Sequence, residues 1–216
     1  MTGSALRKSI RKPAALKKVA VLASGRGSNF QAVIDAIEAG TIPARCVALI
    51  TDNPKAYAIG RAEKHGVPVT IVDYGKFGSR GAYEKALLAA MRDAGADLFV
   101  LAGYMRILGQ EIASEFAGKM MNIHPALLPS FPGLHAQRQA VIHGVKLSGC
   151  TVHFVDDCLD GGPIILQRCV PVLEGDDEDS LADRILEQEH IAFPEAVRLF
   201  CEDRLSIEGR IVRIRE

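Results

Sequence analysis

Hydrophobic and polar positions along this chain fall into blocks of two alternating kinds. Residues 19–23 form a short apolar run, a Gly-rich turn follows, and Phe30, Val33, Ile34 and Ile37 then recur at helical spacing. A second run at 46–50 precedes a helix predicted over 56–65, a third at 67–72 precedes a helix over 83–94, and a fourth spans 98–102. Strands this uniformly apolar are buried on both faces. Their alternation with helices predicts parallel βαβ units with helices covering the sheet.

The pattern changes in the second half. A short helix over 110–116 leads into an apolar run at 120–123, and residues 136–143 predict another helix. Runs at 148–155 and 164–172 flank a segment rich in Asp and Gly, which predicts an antiparallel pair. A long helix is expected from Ser180 to about Asp203, with acids before its first turn that complement the dipole and a kink at Pro194. Residues 205–207 and 211–214 predict a terminal hairpin around Glu208-Gly209-Arg210. No repeat or interdomain linker interrupts this order, so residues 17–216 are expected to form a single α/β domain.

Composition narrows the partners. The chain has 216 residues, 48% of them hydrophobic, enough for a substantial core. Its 26 basic and 26 acidic residues balance, which argues against a general attraction to nucleic acid. Residues 1–16 are the local exception, a basic extension expected to be flexible and lacking the apolar region of a secretory signal. Five cysteines form no C-x-x-C pair, a usage that fits a reducing cytoplasm. No apolar run approaches the length of a membrane span, so no membrane partner is expected.

Candidate chemistry gathers at three places. Asn122 and His124 end the run at 120–123, and residues two apart in a strand point to the same side. An amide donor beside a titratable ring suits acyl-type chemistry, in which one binds an oxyanion and the other moves a proton. The turn Ser24-Gly25-Arg26-Gly27-Ser28-Asn29 lies between a strand and a helix, where helix-start N–H groups favour an anion. An ordinary tight turn with Ser28 or Asn29 as N-cap is the alternative, but with strand, turn and helix all in place a single phosphate is the expected occupant. Phe30 stands where a dinucleotide fingerprint needs a third glycine, and there is no Walker lysine. The third place is Asp160-Gly161-Gly162-Pro163, where an acid taken alone would be turn chemistry. His65, His135, His143, His153 and His190 show no metal-type spacing and read as surface or satisfied core residues, so no metal is expected.

Taken together, the turn at 24–29, Ala102-Gly103-Tyr104-Met105-Arg106-Ile107-Leu108, Asn122-Ile123-His124-Pro125 with Leu127-Leu128-Pro129, and His153-Phe154-Val155 through Asp160-Gly161-Gly162-Pro163 closely resemble the phosphoribosylglycinamide formyltransferases, also called glycinamide ribonucleotide transformylases. The Asn-x-His-Pro and Asp-Gly-Gly-Pro blocks are shared by the wider folate-dependent formyltransferase family, and the Gly-x-Gly-Ser-Asn loop is the more diagnostic. Departures are modest: Ala126 where Ser is common, Arg26 within the loop, and the basic extension.

The resemblance implies a Rossmann-like formyltransferase fold, with a mostly parallel central sheet, helices on both faces and an antiparallel strand in the C-terminal half. It implies that formyl passes from 10-formyltetrahydrofolate, the co-substrate, to glycinamide ribonucleotide in purine biosynthesis. By the same resemblance Asn122, His124 and Asp160 are the catalytic residues. Gly27, Ser28 and Asn29 would hold phosphate with Arg80 as charged partner, and Glu189 would meet the ribose. Met105, Arg106, Ile107, Leu108, Asp156 and Asp160 would frame the folate. The expected partners are these two small molecules, with a homodimer as the oligomer considered and the cytoplasm as compartment. The nearest alternative is a 10-formyltetrahydrofolate hydrolase or a methionyl-tRNA formyltransferase. Those relatives carry a further domain, and the short flanks here count against both.

Overall fold

Nine strands form one sheet in the computed structural model, which describes residues 15–216. The basic run expected at 1–16 lies almost wholly outside the described residues. In chain order the elements are β1 (Lys17–Leu22), α1 (Ser28–Glu38), β2 (Ala44–Thr51), α2 (Ala58–Lys64), β3 (Val69–Ile71), α3 (Arg80–Ala94), β4 (Leu98–Leu101), α4 (Gln110–Glu115), β5 (Met120–His124), α5 (Ala136–His143), β6 (Leu147–Phe154), β7 (Ile164–Pro171), α6 (Glu178–Cys201), β8 (Leu205–Glu208) and β9 (Ile211–Ile214). Strand order is β3-β2-β1-β4-β5-β6-β7-β9-β8. From β3 to β5 every pair is parallel; β5–β6, β6–β7 and β8–β9 are antiparallel. Among the described residues no helix is long and apolar enough to cross a membrane.

Alternation along the strands divides the core into two layers. Val19, Val21, Val100, Met121, Ile123, Val152 and Phe154 pack with α1 and α6, through Phe30, Val33, Leu181, Ile185 and Phe193. Ala20, Leu22, Phe99, Leu101 and Met120 pack on the other face against Tyr83, Leu87 and Met91 of α3 and Ile112 of α4. Fully burying each such large side chain stabilises the fold by roughly 1.5–3 kcal/mol before chain entropy is charged.

Helix boundaries follow local chemistry. Ser79 caps α3 by accepting the Ala82 N–H at 3.2 Å, which starts that helix three residues before the apolar pattern does, and Gly95 ends it at φ +55°. Asp177 and Ser180 close a capping box on α6, so it begins at Glu178 rather than Ser180. Pro194 lies inside α6 and does not break it, though the missing N–H leaves the His190 carbonyl without its helical donor.

The chain runs from β1 outward to β3 and then returns to β4 on the other side of β1. Loops leaving the carboxyl ends of β1 and β4 therefore diverge, opening the crevice in which open α/β sheets place their ligands.

Candidate active site

On the face covered by α3 and α4, β5 continues its inward row from Met120 to Asn122 and His124. Cross-strand register places His153 of β6 opposite Asn122 and Thr151 opposite His124. Four polar side chains thus occupy one face of two adjoining strands where the apolar row ends. Three of them, His124, Thr151 and His153, are buried, so each must be hydrogen-bonded.

His124 donates from Nε2 to the Phe131 carbonyl at 2.8 Å. A carbonyl only accepts, so Nε2 carries hydrogen and Nδ1 is the nitrogen where a proton can come and go. Nδ1 faces Asp160 Oδ2 at 3.3 Å. That carboxylate oxygen also accepts the Gly133 N–H at 2.8 Å, and Asp160 itself sits at φ +50°. A left-handed conformation suits Asp better than most residues, because its short side chain can bond locally. The turn beyond is sterically tight: a Cβ on Gly162 would overlap the Phe154 carbonyl oxygen and lie 2.9 Å from its carbon.

The loop supplying Phe131 is tied to the sheet from below. Thr151 Oγ1 donates to the Ala126 carbonyl at 2.7 Å and accepts the Leu128 N–H at 3.0 Å. Gln167 of β7 donates to the Leu128 carbonyl at 2.9 Å. Both residues escape sequence reading, because only the strand register puts them under the Pro-rich exit from β5.

The Gly-rich turn becomes the start of α1. Gly27, at φ +67°, is the N-cap, with no side-chain cap, so neither Ser28 nor Asn29 takes the capping role considered from sequence. The Gly25 carbonyl accepts the Ala58 N–H at 3.0 Å and the Arg26 carbonyl accepts Arg61 Nε at 3.0 Å. Those two bonds hold the turn against α2, and the first backbone N–H groups of α1 have no acceptor within the helix, the kind of donor an anion can use. Asn29 is buried; its Nδ2 donates to Glu189 Oε2 at 2.6 Å while its Oδ1 has no partner among the described residues. Burial raises the Glu189 carboxyl above the usual carboxylate range, and the Asn29 bond only partly offsets this. Beside this turn lies a cavity of about 350 Å³ lined by Ser28, Gln31, Ala32, Asp35, Arg61 and His190.

Residues 102–109 form a loop, which begins one residue earlier than the run at 98–102 predicts. β4 stops at Leu101, and Gly103 at φ +73° turns the chain into a loop. Ser24 and this loop are joined by Ser24 N–H to the Gly103 carbonyl at 3.1 Å and Met105 N–H to Ser24 Oγ at 2.9 Å. Met105 and Ile107 are exposed, whereas Leu108 packs on the α3 layer. Arg106 donates from Nε to buried Asp52 at 2.8 Å and stacks 4.0 Å from the centre of the Tyr74 ring. Asp52 is therefore an ion-pair partner, a role the sequence did not single out.

Arg80 opens α3, pairing with Glu84 at 2.7 Å and reaching the Ile107 carbonyl at 3.4 Å, so it borders the 102–109 loop. Asp156 accepts the Cys158 N–H at 2.9 Å and shapes the turn before Asp160. The structure thus joins Asn122, His124 and Asp160, and separately joins Asn29 with Glu189. Asp35, Glu38 and His65 bring donor atoms within 4.8 Å of one another, the spacing of a metal cluster. They are already knit together by Glu38–His65 at 2.7 Å and by Gln31, which donates to Asp35 at 2.8 Å.

The formyl transferase family profile matches residues 17–197, and the chain belongs to that family. It is 42% identical to phosphoribosylglycinamide formyltransferase of Escherichia coli, over 88% of this chain and 89% of that one. It is 48% identical over 85% of its length to the trifunctional purine biosynthetic protein adenosine-3 of Drosophila melanogaster, of which it spans only 14%. The crystal structure of glycinamide ribonucleotide transformylase 1 from Symbiobacterium toebii superposes with a TM-score of 0.91 at 49% identity, covering 94% of this chain and 96% of that chain.

Proposed function

We propose that this member of the formyl transferase family moves the formyl group of 10-formyltetrahydrofolate onto the amine of glycinamide ribonucleotide, a step of de novo purine biosynthesis. The observation that carries the chemistry is the meeting of Asn122, His124 and Asp160 at the end of β5, with Asp160 Oδ2 3.3 Å from His124 Nδ1. The acceptor is inferred from likeness to phosphoribosylglycinamide formyltransferase of Escherichia coli, over 88% of this chain and 89% of that one.

In this reading the ribonucleotide amine attacks the formyl carbon and a C–N bond forms. The carbonyl oxygen gains negative charge, and an Asn122 Nδ2–H stabilises it; one such donor is typically worth about 3–4 kcal/mol of barrier. His124 moves protons through Nδ1 with Asp160 as its partner. The bond between the formyl carbon and N10 then breaks, and the proton lost by the amine ends on N10. The products are formylglycinamide ribonucleotide and tetrahydrofolate. Every step balances without an added oxidant or metal ion.

Phosphate binds the N–H groups of Gly27, Ser28 and Asn29, with Arg80 as the charged partner. Glu189, with one oxygen taken by Asn29, offers the other to a ribose hydroxyl. The folate lies along 105–108 and the turn from Asp156 to Asp160, where exposed Met105 and Ile107 supply apolar surface for a flat heterocycle. All five cysteines are free, as suits a cytoplasmic site of action.

The test mixes both substrates with purified protein and follows tetrahydrofolate release. Release that requires the ribonucleotide supports the transferase. Equal release without it would instead identify a hydrolase.

A further inference from the structure

Asn122 has a chemical ambiguity that the catalytic reading must resolve. Its side chain ends in an amide of nearly symmetrical shape. The NH2 end donates, whereas the oxygen end would repel a developing oxyanion. A half-turn about the last side-chain bond interchanges the two. Nothing in β5 itself chooses between them.

His153 makes the choice. Its Nδ1 lies 2.9 Å from the Phe154 carbonyl, an acceptor only, so Nδ1 carries the hydrogen. Burial pushes the ring below the ordinary histidine value, which keeps it singly protonated. Nε2 is then a bare lone pair; Asn122 Nδ2 lies within hydrogen-bond range of it at 3.2 Å, whereas the Asp160 carboxylate stays outside that range at 3.8 Å. Only the NH2 end can satisfy a lone pair, and turning the oxygen there would set two acceptors against each other. One N–H of Asn122 is thereby used, and the other is aimed within the same amide plane. Resting on the transferase reading above, we infer that His153 is a positioning residue that fixes the Asn122 amide with nitrogen, not oxygen, toward the formyl oxygen.

The relay starts from the backbone. Phe154 ends β6 and its N–H is bonded to the Pro163 carbonyl at 2.9 Å, so the strand holds the carbonyl that sets the His153 tautomer. Gly162 packs against that same carbonyl. The second glycine of the Asp-Gly-Gly-Pro turn therefore serves Asn122 as well as Asp160.

The test compares wild type with His153→Leu, Asn122→Ala and the double variant. It measures kcat and KM for both substrates. It also measures binding of two folate analogues, one with an aldehyde that hydrates to a tetrahedral diol at the formyl position and one lacking that group. His153→Leu should lower kcat by roughly 10- to 100-fold, the range expected when a transition-state contact is misplaced by about an ångström. Both KM values should stay within about threefold, because ground-state binding does not use the oriented N–H. The diol-forming analogue should lose affinity by a similar factor while the plain analogue does not. The double variant should be no slower than Asn122→Ala alone.

Should His153→Leu fail to fold, ring nitrogen-15 spectroscopy of the wild type decides. Nδ1 protonated and Nε2 bare at neutral pH supports the inference, and an Nε2–H tautomer overturns it. Wild-type kcat in His153→Leu, or a double variant slowed by the product of the two single effects, overturns it too. Lack of formyl transfer by the wild type would count against the proposed function instead.

Discussion

A single methyl group at Gly27 tests whether α2 shapes the Gly-rich turn and whether that turn holds the ribonucleotide phosphate, as proposed. Alanine there must hold φ +67°, at a cost of roughly 1–2 kcal/mol for a residue with a Cβ. The new Cβ would also stand 2.8 Å from Ala58 Cβ and 3.1 Å from Ala58 Cα. Neither atom is the end of a flexible side chain, so relief requires moving α2, and overpacking of this kind costs about 1–3 kcal/mol. The total is roughly 2–5 kcal/mol. For a domain of this size that lowers Tm by about 4–20 °C. Moving α2 also strains the bond from Ala58 to the Gly25 carbonyl, 3.0 Å in the native turn, and misaims the amides at the helix start. KM for the ribonucleotide should therefore rise at least about tenfold with little change in KM for the folate. Gly60→Ala is the matched control. A Cβ at this α2 position meets nothing within 4 Å and should stabilise by roughly 0.5–1 kcal/mol. Thermal unfolding and two-substrate kinetics read both variants. A Gly27→Ala protein with wild-type Tm and ribonucleotide KM would refute the account of the turn.

Three other outcomes follow from buried groups. Arg106→Ala leaves the Asp52 carboxylate, whose side chain is 3% exposed, without its donor at 2.8 Å. Because Arg106 is itself 42% exposed, the loss should be near the lower end for breaking a buried pair, roughly 3 kcal/mol in urea denaturation. Glu189→Gln keeps an acceptor for Asn29 and removes the buried charge. Since burial raises the Glu189 pKa in the folded state, wild-type stability falls as pH climbs from the unfolded carboxyl value through the folded one. The variant should gain on wild type across that rise and match it below; denaturation midpoints at pH 4 and pH 8 measure this, and an advantage confined to pH 4 would reverse the sign. Gly162→Ala forces a Cβ into the Phe154 carbonyl and should cost at least about 3 kcal/mol, checked by soluble yield and thermal unfolding.

Local patterning made most elements legible. Among the described residues the strand runs and helical repeats anticipate the nine strands and six α-helices to within a few residues, because β1, β2 and β4 are apolar runs at the centre of the sheet and the longer helices each bury one stripe. Errors fall where a single residue outweighs the pattern. Ser79 extends α3 backward, and Gly103 cuts the fourth strand short. The pairing of Asn122 with His124 was readable from a two-residue offset in one strand. The part played by His153 was not, because it depends on β6 lying antiparallel beside β5 in one register. Among histidines set aside as satisfied core or surface, it is a satisfied core residue whose partner happens to be Asn122. Asp52 and Arg106, and likewise Thr151 and Gln167, meet through distant segments, a kind of contact that periodicity does not encode.

The placement of Asn122 and His124 inside a central strand has a thermal consequence. β5 is hydrogen-bonded to β4 on one side and β6 on the other, so its residues open only with the sheet as a whole. The Gly-rich turn proposed to bind phosphate and the 102–109 segment lie at element ends, where opening costs less. On warming, acceptor affinity should decay first while the reacting groups stay assembled until the domain melts. Saturating substrate would then keep the enzyme working close to its unfolding temperature.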